Sequence, residues 1–178
     1  MHGLRIERPL RADLESAYTV LAKSIAQAFE EEGISEAEAL DEIAYKQSLI
    51  RQSVEDDSET VFLVAKLNGQ VVGTISFGPC GDDVRSCTNN ELAEVGELGS
   101  IYVLPELQGK GVGSALIAAM ANRLHKSGIE QFCLDCGLKA AQEKWKRKFG
   151  APCIVAKDYW GAGSDHLIWL CNVPDFLC

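Results

Sequence analysis

No stretch of the chain approaches the roughly 18–20 consecutive apolar residues that a membrane-spanning helix requires. The opening residues, Met1-His2-Gly3-Leu4-Arg5-Ile6-Glu7-Arg8, lack the apolar core of a secretory signal, so the expectation is a cytoplasmic protein with no membrane partner. Positive charge is scarce: 17 Lys and Arg stand against 26 Asp and Glu, a net charge of −9. Nucleic-acid phosphates need clustered Lys and Arg, so they are excluded as a partner class. The acidity suits a cationic substrate such as an amine, and serves solubility equally well. Internal repeats, linkers and low-complexity tracts are absent too. What is present is ordinary for a folded domain: 178 residues, 47% hydrophobic and 24% charged, enough for one core and read as a single domain over 1–178.

Seven cysteines (80, 87, 133, 136, 153, 171 and 178) are many for such a chain, but the number is odd and the spacing irregular. That does not describe a secreted disulfide framework. Cys133-x-x-Cys136 has redox or half-zinc spacing, yet it lies in a strand-like run. Alternation there puts Phe132, Leu134 and Cys136 on one face and Cys133 on the other. A redox pair normally opens a helix, and no second ligand pair follows at finger spacing. Buried, unreactive thiols are expected, and no metal. Cys80 and Cys87 flank a polar loop, where pairing stays open.

The element pattern begins with a short strand at Leu4–Arg8, ended by Pro9. Asp13 is positioned to cap a helix with Leu14, Ala17, Leu21, Ile25 and Ala28 at helical spacing, stopped by Gly33. Ser35 and Glu38 form a capping-box signature opening a second helix to about Val54. Asp56-Asp57-Ser58-Glu59 reads as a solvated link. Two β-branched runs, 60–66 and 70–77, flank Asn68-Gly69, a strong hairpin signal. Residues 78–90 read as a loop, and 91–104 as a long strand, bulged near Gly96 and Gly99 and ended by Pro105. A helix over 113–126, a strand over 129–135 and a helix over 139–149 follow. Strands at 153–159 and 165–172 flank Gly161-Ala-Gly163. The order implies an α+β domain with one mixed sheet and helices on its faces.

The informative stretch is Gln108-Gly109-Lys110-Gly111-Val112-Gly113-Ser114, between a strand end and a helix start. Orphan N–H groups and the positive end of the helix dipole make such a place an anion site. Gly109, Gly111 and Gly113 let a pyrophosphate approach the backbone, and Lys110 adds charge. Competing phosphate loops fit less well: Lys110-Gly111-Val112 is not the Gly-Lys-Ser/Thr of a Walker loop, and the glycine spacing is not that of a dinucleotide fold.

Ile101-Tyr-Val-Leu-Pro-Glu-Leu-Gln-Gly-Lys-Gly-Val-Gly-Ser-Ala-Leu116 closely resembles the acetyl-CoA-binding core motif of the GNAT acetyltransferase superfamily. The element order follows the family from end to end, while the specific motif is confined to about 94–116. The resemblance implies a mostly antiparallel sheet of six to seven strands with about four helices. It also implies acetyl-CoA as co-substrate, with the pyrophosphate on Gly109 to Ser114 (Lys110, Gly111, Val112 and Gly113 between them) and Gln108 counted among the cofactor-binding residues. The pantetheine would lie along backbone groups of Ile101, Tyr102 and Val103, the Val103 amide serving also as an oxyanion donor. Some members carry a base glutamate at the position of Glu97, which strict alternation puts on the face of Ile101 and Val103; a surface glutamate would look the same.

The chain departs from the family pattern at the general acid. Aligned on Gly150, Trp145 takes the usual aromatic position. Lys146 stands where a tyrosine is usual, and Lys139 where an asparagine is. Lys146 as an electrostatic partner of the leaving thiolate, or Tyr159 as a substitute acid, are the candidates. Lys144, Lys146, Arg147 and Lys148 read as a solvated face or as neighbours of the CoA 3′-phosphate. His166 alternates with Leu167 and could line an acceptor pocket, whereas His125 reads as surface. The resulting expectation is transfer of an acetyl group to a primary amine, on a small molecule or a protein, by direct attack. A non-catalytic acyl-CoA-binding module is the alternative, and homodimer formation is left open.

Overall fold

The computed structural model describes residues 3–55 and 58–177. Asp56 and Asp57 of the expected link, Cys178 and the first two residues lie outside them. Seven strands, β1 (Arg5–Glu7), β2 (Val61–Leu67), β3 (Gln70–Gly78), β4 (Glu97–Val103), β5 (Gln131–Cys136), β6 (Ile154–Ala156) and β7 (His166–Asn172), form one sheet. Its spatial order is β1-β2-β3-β4-β5-β7-β6, and every neighbouring pair is antiparallel except β4 with β5. The helices are α1 (Leu14–Glu32), α2 (Glu36–Val54), α3 (Asp82–Cys87), α4 (Val112–Lys126) and α5 (Lys139–Phe149). Among the described residues none is long and apolar enough to cross a membrane.

The sheet divides the core in two. On one face α4 buries Val112, Leu116, Ile117, Met120 and Leu124 against Ile75, Leu98, Phe132, Leu134 and Trp169. On the other, α1 packs Ala17, Val20, Leu21 and Ile25 against Phe62, Val64 and Val71. Beside it a smaller cluster joins Cys80 and Val84 to Cys133 and Ile168. Alternation along β5 therefore splits Cys133 from Cys136, and the two thiols cannot share a metal or a disulfide without inverting the strand. All six described cysteines, Cys80 and Cys87 included, are free.

Local signals behave as their chemistry requires. Asn68 and Gly69 both take positive φ (52° and 80°) in the β2–β3 hairpin. Gly33 ends α1 at φ 70°, with the Ile34 N–H returning to the Phe29 carbonyl at 2.9 Å. Ser35 opens α2 with a complete capping box: its Oγ accepts the Glu38 N–H, and Glu38 Oε2 accepts the Ser35 N–H, both at 3.3 Å. Replacing Ser35 with alanine is expected to lower stability by about 1 kcal/mol, read as a shifted urea midpoint at unchanged m.

Four expectations are corrected. Asp13 does not cap α1 with its side chain, because a 3-10 turn over Arg11–Asp13 has already brought it to helical dihedrals. Its carboxylate instead accepts the Leu10 N–H and pairs with Lys66 of β2, each at 2.7 Å. The stretch 78–90 is not all loop, since α3 lies within it. A six-residue helix is too short to show a 3.6 period, and it is held by burying Val84. The strand expected from residue 91 begins at Glu97, because Asn89 and Asn90 turn the chain at positive φ. The strand expected over 153–159 stops at Ala156, where Asp158 (φ 54°) starts a tight turn braced by its carboxylate on the Gly163 N–H.

Candidate active site

β4 and β5 run parallel but share a single paired position, Glu97 opposite Cys133, with the Cys133 N–H on the Gly96 carbonyl at 2.9 Å. Beyond it the strands part. A bulge in β4 accompanies the parting: Thr74 and Ser76 of β3 face Tyr102 and Gly99, so β4 carries an extra residue, with Ser100 at φ 48°. Thr74 Oγ1 donates to the Ser100 carbonyl at 2.7 Å and fixes the distortion. The extra residue shifts the alternation. Leu98, Ile101 and Val103 face the α4 core, while Tyr102 joins the α1–α2 cluster. Glu97 consequently lies on the face opposite Ile101 and Val103, beside Cys80 and Cys133, which corrects the expectation from strict alternation.

At its far end β4 passes through a 3-10 turn (Pro105–Leu107) into Gln108–Gly111 and then α4. Gly109 and Gly111 hold φ of 71° and 89°, and a Cβ on either would point into open space. The first helical N–H to return to a carbonyl is that of Ala115, on Gly111 at 3.0 Å, so the earlier N–H groups face outward at the helix N-terminus. Gln108 Nε2 and Ser24 Oγ both donate to the Val103 carbonyl, at 3.2 and 2.9 Å, and tie the turn back to β4 and α1. Of the basic run on α5, Lys148 reaches the turn: its Nζ lies 2.8 Å from Ser114 Oγ. Lys146 points elsewhere, paired with Glu143 at 2.7 Å on an exposed face.

Glu97 is half-buried. Loss of solvent and then the Asp135 carboxylate push its carboxyl up to about 7, with Asp83 adding to the rise. The Gly81 N–H, 2.6 Å from Glu97 Oε2, and Lys46 of α2 pull the other way without prevailing. Next to it sits a cluster that sequence reasoning reached only in part. Asp83 of α3, Asp135 of β5 and His166 of β7 bring their polar atoms within 4.8 Å of one another. His166 is buried, its Nε2 is 2.9 Å from Asp135 Oδ2, and Trp160 Nε1 donates to its Nδ1 at 3.0 Å. Tyr159 donates its hydroxyl to Asp83 Oδ1 at 2.9 Å, which holds the phenol above its ordinary value, and its ring packs edge-on to Trp160. The structure thus joins Glu97, Tyr159 and His166 in one region and leaves Lys146 out of it. Asp135 escaped notice because it lies inside the Cys-Leu-Asp-Cys run, although alternation already puts it on the Cys133 face.

Residues 22–151, most of the chain, match the acetyltransferase (GNAT) family. The chain belongs to that family. It is 32% identical over 93 residues to an aminoglycoside N(6′)-acetyltransferase type 1 of Stenotrophomonas maltophilia, covering 52% of this chain and 59% of that protein. It is 35% identical over 91 residues to an uncharacterized N-acetyltransferase of Methanocaldococcus jannaschii, covering 50% and 38%. The chain thus spans less than two thirds of either relative. In fold it is similar to the PaiA N-acetyltransferase of Thermoplasma acidophilum, solved with coenzyme A, at a TM-score of 0.71 and 19% identity over 95% of this chain and 98% of that one.

A GNAT fold implies acetyl-CoA, and the turn's construction fits a pyrophosphate. The unpaired N–H groups, the open space over Gly109 and Gly111 and the cation of Lys148 all serve an anion there. Gly73 of β3 also has a packing reason: a Cβ there would meet Leu116 and Val112 at 3.0 and 3.1 Å, so its bareness lets the first turns of α4 sit close to the sheet.

Proposed function

We propose that this protein transfers the acetyl group of acetyl-CoA to a primary amine by direct attack, with Glu97 as general base. The observation that carries the reading is a half-buried glutamate, poised near neutrality, at the point where β4 and β5 part. A base works best when its pKa lies near the operating pH, because it is then ionised and still able to take a proton. Acetyl-CoA supplies the activated acyl group as a thioester. Gln108 to Ser114 and Lys148 would hold its phosphates, and the β4 backbone from Ile101 to Val103 would align the rest. The Val103 N–H would act as donor to the carbonyl oxygen. Tyr159 holds a proton at Oη toward Asp83, and serving as acid would require that hydrogen bond to break.

The acceptor reading is a cationic amine. Glu97, Asp83 and Asp135 converge at one end of the site with two aromatic rings beside them. An ammonium group is attracted there and must shed a proton before attack, which Glu97 accepts. The aminoglycoside named for one relative belongs to the same chemical class.

Calorimetric titration with acetyl-CoA, beside a Gly111→Trp variant, tests the donor side. Binding in the micromolar range is expected in the unaltered protein and loss of at least tenfold in the variant, whose indole would cover the turn. No binding by folded, ligand-free protein would sink the reading. A panel of amines assayed by thiol release then separates an enzyme from an acyl-CoA-binding module, the alternative suggested by Lys146 in the slot where the family carries its tyrosine. Binding without turnover across cationic, neutral and peptide amines would favour the module.

A further inference from the structure

Trp160, His166 and Asp135 form a hydrogen-bonded line whose direction is set by chemistry. An indole N–H can only donate, so Nδ1 of His166 must present a lone pair to Trp160 at 3.0 Å. The single ring proton is then on Nε2, which donates it to Asp135 Oδ2 at 2.9 Å. Two consequences follow. Nε2 has no lone pair for a metal, so as hydrogen-bonded His166 is not a metal ligand in the trio it forms with Asp83 and Asp135. The imidazole is also neutral, so the charge on Asp135 is oriented without being cancelled. Asp135 stands two residues beyond Cys133, the residue paired with Glu97, on the same face of the sheet.

We infer that Asp135, held by His166 and through it by Trp160, is a positioning residue that keeps an uncompensated negative charge beside Glu97 and so prepares that carboxylate to take the proton of the incoming amine. The inference rests on the reading of Glu97 as the base. The other groups facing Glu97 do not replace Asp135. Lys46 of α2 and the Gly81 N–H act in the opposite sense, and Asp83 of α3 is the weaker neighbour. The Cys80 and Cys133 thiols are themselves pushed up by burial and carry no charge at neutral pH. Gly137 is part of the same construction. A Cβ there would come within 2.7 Å of Trp160 Nε1 and 3.2 Å of His166 Nδ1, so a side chain at that position would displace the line. The proximity of Asp135 is the second cause, after loss of solvent, of a Glu97 carboxyl near 7.

The test is NMR on the full chain and needs no acceptor. Nitrogen-15 shifts of His166 should show Nε2 protonated and Nδ1 bare; in Trp160→Phe the Nδ1 resonance should move, because its donor is gone, while Asp135 keeps the proton on Nε2. Carbon-13 titration of the Glu97 carboxyl, assigned by the signal missing in Glu97→Gln, should give a midpoint that falls by about one unit, tenfold in proton affinity, in Asp135→Asn. Asparagine keeps the size and still accepts the His166 N–H, so a merely structural role would leave the midpoint in place. Asp83→Asn should move it less. An Nδ1-protonated ring in the unaltered protein, or an unmoved Glu97 midpoint in folded Asp135→Asn, overturns the inference. Should Asp135→Asn fail to fold, Asp135→Ser, small and uncharged at the same position, carries the decision: its Glu97 midpoint should fall likewise, and an unmoved midpoint overturns the inference. Acetyl-CoA calorimetry on the same samples keeps the two readings apart: lost binding counts against the transferase, whereas intact binding with an unmoved midpoint counts only against the line.

Discussion

Glu97→Gln is expected to lower kcat/KM by roughly 10²–10³, while acetyl-CoA binding measured by calorimetry stays within about twofold. Glutamine fills the same space and its amide oxygen can still accept the Gly81 N–H, so the loss reports the missing base rather than a collapsed site. The pH profile makes the assignment sharper. With the carboxyl near 7, kcat/KM of the unaltered protein should rise through about pH 7 to a plateau, because only the ionised form accepts a proton. In the variant that limb should vanish. Stability should move the other way. A carboxyl whose folded value is raised holds its proton more tightly folded than unfolded, so its contribution is full in acid and is lost as pH rises through 7. Above that pH the variant should therefore be the more stable protein, on the order of 1–2 kcal/mol once solvent screening of a half-buried group is allowed for. Equal rates and a retained limb would remove Glu97 from the mechanism.

Trp169→Ala should be the most damaging single truncation in the core. The indole is 1% exposed, projects from β7 into the core shared with α4, and donates its N–H to the Gly150 carbonyl at 2.9 Å. Removing a buried tryptophan costs about 3–5 kcal/mol, which for a chain of this length corresponds to a Tm lower by roughly 10 °C in a circular-dichroism melt. The hydrogen bond has a further consequence. Gly150 ends α5, and Lys148 two residues earlier is the side chain that reaches Ser114 beside the glycine turn. Loosening α5 should thus weaken acetyl-CoA binding as well as the fold. Trp169→Phe separates the two: most of the packing remains, the donor is lost, and about 1 kcal/mol should go with it. A Tm unchanged within 2 °C in the alanine variant would contradict the assigned packing.

Much of this protein was legible residue by residue because the signals are local. Ser35 with Glu38, Asn68-Gly69, Gly33 and the glycines of 109–113 each act through their own dihedrals or through a neighbour three residues away. The element order, with its mixed sheet, followed from these punctuation marks and from periodicity. Where a segment was short or its neighbours distant, reading failed. α3 is a single buried valine away from being a loop, and Asp13 is drawn off its cap by a lysine 53 residues further on.

The sequence by itself determined the family, the strand–turn–helix that suits a pyrophosphate, and the presence of a glutamate on the strand before it. These depend on backbone conformations that few residue types permit and on spacing along one chain. Only the tertiary structure decided which face Glu97 occupies, because the extra residue at Ser100 inverts the alternation of β4, and a bulge is defined by the strand opposite. It alone also gathered Asp83, Asp135, Tyr159, Trp160 and His166, which lie up to 83 residues apart along the chain, into one site. Burial, a neighbouring charge and the tautomer of a histidine are properties of a packed arrangement, and no local pattern specifies them.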